Sequence, residues 1–149
     1  MKRSSNPECF LSPEEKQQIE AAVAAAEKKT SAEIKVVLAR HCWRDIREKA
    51  IQIFTKHELH ETAERNCVLI LLVLANREFL IFGDKGIHEK AGQKLWDSVR
   101  NEMAELFRQD KFGEGLAAGV EAVGKKLIEF FPIKDDDQNE ISNEVAYED

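Results

Sequence analysis

From Cys67 to Ala75 the chain carries no polar side chain beyond one thiol, and no other stretch limits the fold as strongly. The run is about half the roughly 20 residues a helix needs to cross a bilayer, so no membrane span is expected. Val68 to Leu74 is rich in Leu and β-branched residues without alternation, the pattern of a central strand covered on both faces. Asn76-Arg77 then separates it from Glu78 to Phe82. A two-residue break of this kind reads as a hairpin turn, which makes the following strand antiparallel.

Upstream, Glu33 to Ala39 alternates partly and then turns apolar through Ile34, Val36, Val37 and Leu38, as a covered strand does. Between the two, from about Arg44 to His57, the residues Ile46, Ala50, Ile51, Ile53 and Phe54 return at helical spacing. Strand, helix and strand in succession place the first strand parallel to the second through a right-handed crossover. The sheet is therefore small and mixed.

Three more helices complete the pattern. Ser12-Pro13-Glu14-Glu15 opens one that runs to about Lys29, with Ser12 as cap, Pro13 at the first helical position and Glu15 closing a capping box. Glu89 to Gln109 and Glu114 to Phe131 follow, and Pro132 stops the last. Gly115, Gly119 and Gly124 would each cost the last helix up to about 1 kcal/mol relative to Ala, which close helix packing must offset. The expectation is an α/β protein, a three-layer α/β/α sandwich with about four helices flanking the sheet. Residues 1–9 are read as a frayed terminus, 10–134 as one domain and 135–149 as an acidic, flexible tail.

Charge narrows the partners. The net charge of −6 resides in that tail, where seven acidic residues from Asp135 to Asp149 stand without a Lys or Arg. The near-neutral body has no basic excess to drive counterion release from a phosphate backbone, so nucleic acid is not an expected partner. Asn6, Pro7 and Glu8 stand where a signal peptide would need an apolar stretch, which leads to an expected cytoplasmic location. Cys9, Cys42 and Cys67 form no Cys-x-x-Cys pair, which argues against a disulfide framework or zinc knuckle and fits a reducing compartment. Cys67 reads as a small buried hydrophobe.

The hairpin carries the main functional inference. Arg65 and Asn66 precede one of its strands, and Gly83-Asp84-Lys85-Gly86-Ile87-His88-Glu89 follows the other, so both segments meet at one end of the sheet. Oxygens of Asp84 and Glu89 suit a hard cation there. Arg65, Asn66, Lys85 and His88, with the amides of a helix start, suit a small anion. The plainer alternative makes Arg65 and Asp84 a structural ion pair, with His88 a surface residue. His57, His60, Glu61 and Glu64 have helical spacing but lack the His-Glu-x-x-His order, and a solvated polar face accounts for them. Asp135, Asp137 and Asn139 resemble the start of a calcium loop, but Glu140 and Ala146 stand where Gly and Glu are required. A tail that folds back to supply Asp136 or Asp137 as a cation ligand is the alternative to a free one. No phosphate-cradling loop, nucleophile elbow, dinucleotide fingerprint or zinc-protease motif is present.

Arg65-Asn66-Cys67-Val68-Leu69-Ile70 and Gly83-Asp84-Lys85-Gly86-Ile87-His88-Glu89 resemble the two signature blocks of the TPM-domain family. Phe107, Phe112, Gly115, Gly119, Gly124, Leu127 and Phe131-Pro132 are similar to its closing helix, and Asp136-Asp137-Gln138-Asn139-Glu140 to its following acidic segment. The resemblance covers about residues 10–145. It implies an α/β/α sandwich, Ca2+ or Mg2+ binding in some members, and a phosphatase label. Exported members open the strand with an Asp-Asn-Gly-type sequence where this chain has Arg65-Asn66-Cys67, so one carboxylate is missing. The expected function is divalent-cation or small-ligand binding with weak metal-assisted phosphatase activity. The alternative is a non-enzymatic protein-interaction module that uses the acidic tail and the sheet-end pocket.

Overall fold

A computed structural model describes residues 3–91, 93–134 and 141–149. Helices α1 (Pro7–Phe10) and α2 (Pro13–Glu27) lead into strand β1 (Glu33–Ala39), helix α3 (Ile46–Lys56) and the hairpin of β2 (Cys67–Val73) and β3 (Glu78–Gly83). Then come α4 (Lys85–Ala91), a 3-10 turn (Gln93–Trp96), α5 (Asp97–Arg108), α6 (Phe112–Phe130) and β4 (Ala146–Glu148). The strand order is β3-β2-β1-β4. β1 runs parallel to β2 with Glu33 opposite Cys67. β3 is antiparallel to β2 with Gly83 opposite Val68.

Every position of β1 and β2 is buried, because each successive side chain enters one of two separate cores. Ile34, Val36, Leu38, Val68, Ile70 and Leu72 pack beneath α2, α5 and α6 together with Ile19, Val23, Met103, Leu116 and Val120. Val37, Ala39, Leu69, Leu71 and Val73 pack beneath α3 with Ala50, Ile53 and Phe54. The expected α/β/α layering and the mixed sheet are both present. The capping box of α2 forms, with Glu15 N donating to Ser12 Oγ at 3.1 Å and Ser12 N to Glu15 Oε1 at 3.0 Å. A Cβ added to Gly124 would lie 2.8 Å from the Cβ of Ala26, so the glycine is what lets α6 approach α2.

The structure departs from the sequence reading in three places. The helix expected from Glu89 starts at Lys85, because the Asp84 carboxylate accepts the Lys85 amide at 2.7 Å and so begins it one turn earlier. That helix then breaks into a 3-10 turn, which buries Trp96, before α5. The amino terminus is not frayed from residue 3 onward. Arg3 forms a bidentate pair with Glu15 at 2.8 and 2.9 Å, its guanidinium stacks over Phe10 and Phe112, and Asn6 caps α1. Residues 141–149, read as part of a flexible tail, contain β4, which pairs parallel to β1 with Val37 opposite Ala146. Three residues are too few to show a period of two, but Val145 and Tyr147 reach the α2 core while Ala146 reaches the α3 core.

Candidate functional site

The site lies where β2 begins and β3 ends. Asp84 N donates to Cys67 O at 3.0 Å, and Gly86 N donates to Arg65 O at 2.8 Å, so the two segments are tied together by their backbones. Arg65 has φ 52°, in the left-handed region, and it turns the chain into β2. A Cβ at Gly86 would lie 2.7 Å from Arg65 O and closer still to Glu64 O. Only glycine allows this approach.

Arg65 and Asp84 meet here, as the hairpin geometry requires. Arg65 Nε donates to Asp84 Oδ2 at 2.8 Å and its Nη2 to Oδ1 at 2.9 Å, a bidentate fork. The pairing with Asp84 raises the Arg65 guanidinium further above its already high range. The Asp84 side chain is 6% exposed and that of Arg65 46%, so the carboxylate is rooted in the protein while the guanidinium lies across its outer side. Asn66 is buried, with Nδ2 donating to Ser31 O at 3.2 Å and its backbone amide to Thr62 Oγ1 at 3.1 Å. Among the described residues its Oδ1 is buried without a partner.

The other expected ligands are less converged. His88 is half-buried with its ring edge toward Phe82 at 6.4 Å. Lys85 and Glu89 are exposed. Asp136 and Asp137 lie outside the described residues. Among the described residues no three His, Cys, Asp or Glu side chains gather closely enough to hold a metal ion. The His57, His60, Glu61 and Glu64 set is dispersed accordingly: His57 Nε2 bonds Glu148 Oε2 at 2.7 Å, and Glu64 pairs with Lys134 at 2.9 Å.

A second polar group at the same end of the sheet was missed. Glu27, at the end of α2, accepts the Ile34 amide at 2.8 Å and shares a hydrogen bond with the Glu33 carboxyl. Burial, reinforced by Glu33, pushes Glu27 up to about 8. Lys35 donates to Ser142 O at 3.1 Å and Glu144 O at 2.7 Å, and burial lowers its ammonium. Burial likewise raises the Cys67 thiol well above its usual range, which keeps it unreactive. The signal for this group was the presence of Glu33 and Lys35 inside an otherwise apolar strand.

A model of the TPM domain matches residues 5–126. The chain belongs to the TPM-domain family. The TPM domain here is similar to BA42 from the psychrophilic bacterium Bizionia argentinensis, solved by NMR, at 36% identity over 97% of this chain and 99% of that one, with a TM-score of 0.89. It also resembles the N-terminal domain of a P. gingivalis protein at 21% identity, over 81% of this chain and 78% of that one, with a TM-score of 0.65; that likeness concerns the fold alone. No curated protein matches the sequence. Among the described residues no helix of this TPM domain is long and apolar enough to cross a membrane.

Proposed function

We propose that this TPM domain binds a divalent cation, Ca2+ or Mg2+, where β2 begins and β3 ends. Asp84 and Glu89 are the proposed oxygen ligands, with Asp136 and Asp137 as further ones suggested by the sequence. The observation that supports this is the setting of Asp84: a carboxylate rooted in the protein, bonded to the Lys85 amide and covered on its outer side by a half-exposed guanidinium. Hard carboxylate oxygens are the donors both ions prefer. Binding exchanges one positive partner of Asp84 for another, so Arg65 and the cation compete, and Arg65 swings outward when the cation enters.

Phosphate-ester hydrolysis is the reaction class that goes with such a site, at a weak level. A bound cation would supply polarisation of a phosphoryl oxygen. Arg65, released from Asp84, is then placed to pair with phosphate, and Lys85 and His88 stand on the same rim.

The test is an NMR titration of the full chain with CaCl2 and MgCl2. Saturable shifts confined to Arg65, Asn66, Asp84 to Glu89 and residues 135–140 are expected, lost in Asp84→Asn. Arg65→Gln removes the competitor and should tighten binding. Absence of any saturable shift ends the reading. Hydrolysis of a chromogenic phosphate ester should fall in Asp84→Ala and persist through repurification.

A further inference from the structure

At the opposite end of β1, about 20 Å from Asp84 at the usual rise per strand residue, the sheet opens a second polar cleft. β2, on one side of β1, is reached through α3, which packs on one face of the sheet; β4, on the other side, follows α6, which packs on the opposite face. The cleft lies beyond the paired carboxyl ends of β1 and β4, where Arg40 N donates to Glu148 O at 2.9 Å, and the region outside the carboxyl ends of the strands is where open α/β sheets take ligands.

The cleft, walled by one face of α3, the end of β4 and residues 6–8, has a volume of about 490 Å3, within the range of small-molecule sites. Arg40 follows the last residue of β1 and lines it, and α3 adds Lys49, Gln52 and Lys56. Those three positions share one helix face by spacing. Three cations and an amide therefore converge from two rigid elements.

Their present partners are the carboxylates beside them. Glu148 is held firmly, at 2.9 Å from Lys56 and 2.7 Å from His57. Asp149 is different. Its carboxylate is 93% exposed and 3.8 Å from Arg40 Nε, and Lys49 Nζ donates to its backbone oxygen at 3.0 Å. Glu8, the remaining acid of the wall, is exposed. Exposed acids of this kind are held weakly, so an anion that enters the cleft displaces Asp149 from Arg40 rather than Glu148 from Lys56.

We propose that the cleft at the carboxyl ends of β1 and β4 binds a small molecule through a phosphate group, with Arg40 and Lys49 as its main charge partners and Gln52 as a hydrogen-bond donor. Arg40 supplies a planar fork suited to phosphate oxygens, and Lys49 a point charge. The volume beyond the phosphate admits a body such as a nucleoside.

The full chain, isotopically labelled, should be titrated with inorganic phosphate and separately with AMP, at constant ionic strength and against sodium chloride. Saturable shifts at Arg40, Lys49, Gln52, Lys56 and Glu148, absent with chloride, are expected for both probes. Tighter AMP binding shows that the rest of the cleft is used, and equal binding shows that only the phosphate is read. Arg40→Gln and Lys49→Gln should each weaken binding about tenfold, as loss of one charge-assisted bond does, without changing Tm. Asp149→Asn should tighten it. Non-saturating shifts, shifts centred on other surface lysines, or undiminished affinity in the doubly substituted chain would overturn the proposal. Because the reporting residues sit at the far end of β1 from Asp84, failure here and failure of the cation site are read separately.

Discussion

Glu27→Gln should make the protein more stable in mild alkali, although it removes a partly buried ionisable group. An acid whose folded value is raised from 4.5 to about 8 keeps its proton in the native state while the unfolded chain releases its own. Native stability therefore falls as pH rises through that window, is free of the penalty below 4.5, and carries all of it above 8. At about 1.4 kcal/mol per unit the ceiling is about 5 kcal/mol. Glu27 is only partly buried and shares its proton with Glu33, so screening brings the expected cost to about 2 kcal/mol. Glutamine imitates the protonated carboxyl, with an oxygen that accepts the Ile34 amide and an NH2 that donates to Glu33. Urea unfolding at half-unit steps from pH 5 to 9 should show wild-type stability declining and the variant's declining less, with the two curves close at pH 5 and about 2 kcal/mol apart at pH 9. Equal loss at both ends of the range, or a flat wild-type curve, would refute the shared-proton account.

The acid limb has the opposite sign. Glu15, lowered to about 2 mainly by its bonds to Arg3 and also by the Ser12 and Gly113 amides, adds stability that is complete above 4.5 and vanishes as pH falls toward 2; Glu15→Gln should cost about 1 kcal/mol at pH 6 and nothing near pH 2, read by urea unfolding. Gly86→Ala must push the Arg65 turn aside and should destabilise by about 1–3 kcal/mol, with loss of any cation-induced shifts at Asp84. Lys35→Met removes the buried amine that holds Ser142 O and Glu144 O; faster hydrogen exchange at the Arg40 amide, which bonds Glu148 O at 2.9 Å, should report loosening of β4. Ile70→Ala, at a fully buried central position, should cost about 2–5 kcal/mol in the same unfolding assay.

What could be read in advance divides along physical lines. β2 announced itself because a strand covered on both faces must be apolar throughout, and the hairpin followed from one short polar break. From those two facts the meeting of Arg65 and Asp84 could be stated before any coordinates. β4 could not, because a three-residue edge strand is chosen by what β1 leaves open and not by its own composition. The Arg3 anchor was equally hidden: one arginine among polar residues says nothing until Glu15 and the Phe10 and Phe112 rings stand beside it. The early start of α4 was within reach, since Asp84 is a good cap, but Gly86, the second residue of that helix, is a poor helix former. Glu27 was overlooked because it looks solvated at the end of its helix; Glu33 stood out inside an otherwise apolar strand, but only the packing of α2 against the edge of β1 brings the two together.

The pairing of Val37 with Ala146 joins the middle of the sheet to residues more than a hundred positions later in the chain. Until that closing stretch arrives, one flank of a wholly buried strand stands open, offering unpaired amides and carbonyls to any other extended chain. A slow final annealing, and clumping when it is delayed, are the hazards built into this order of assembly.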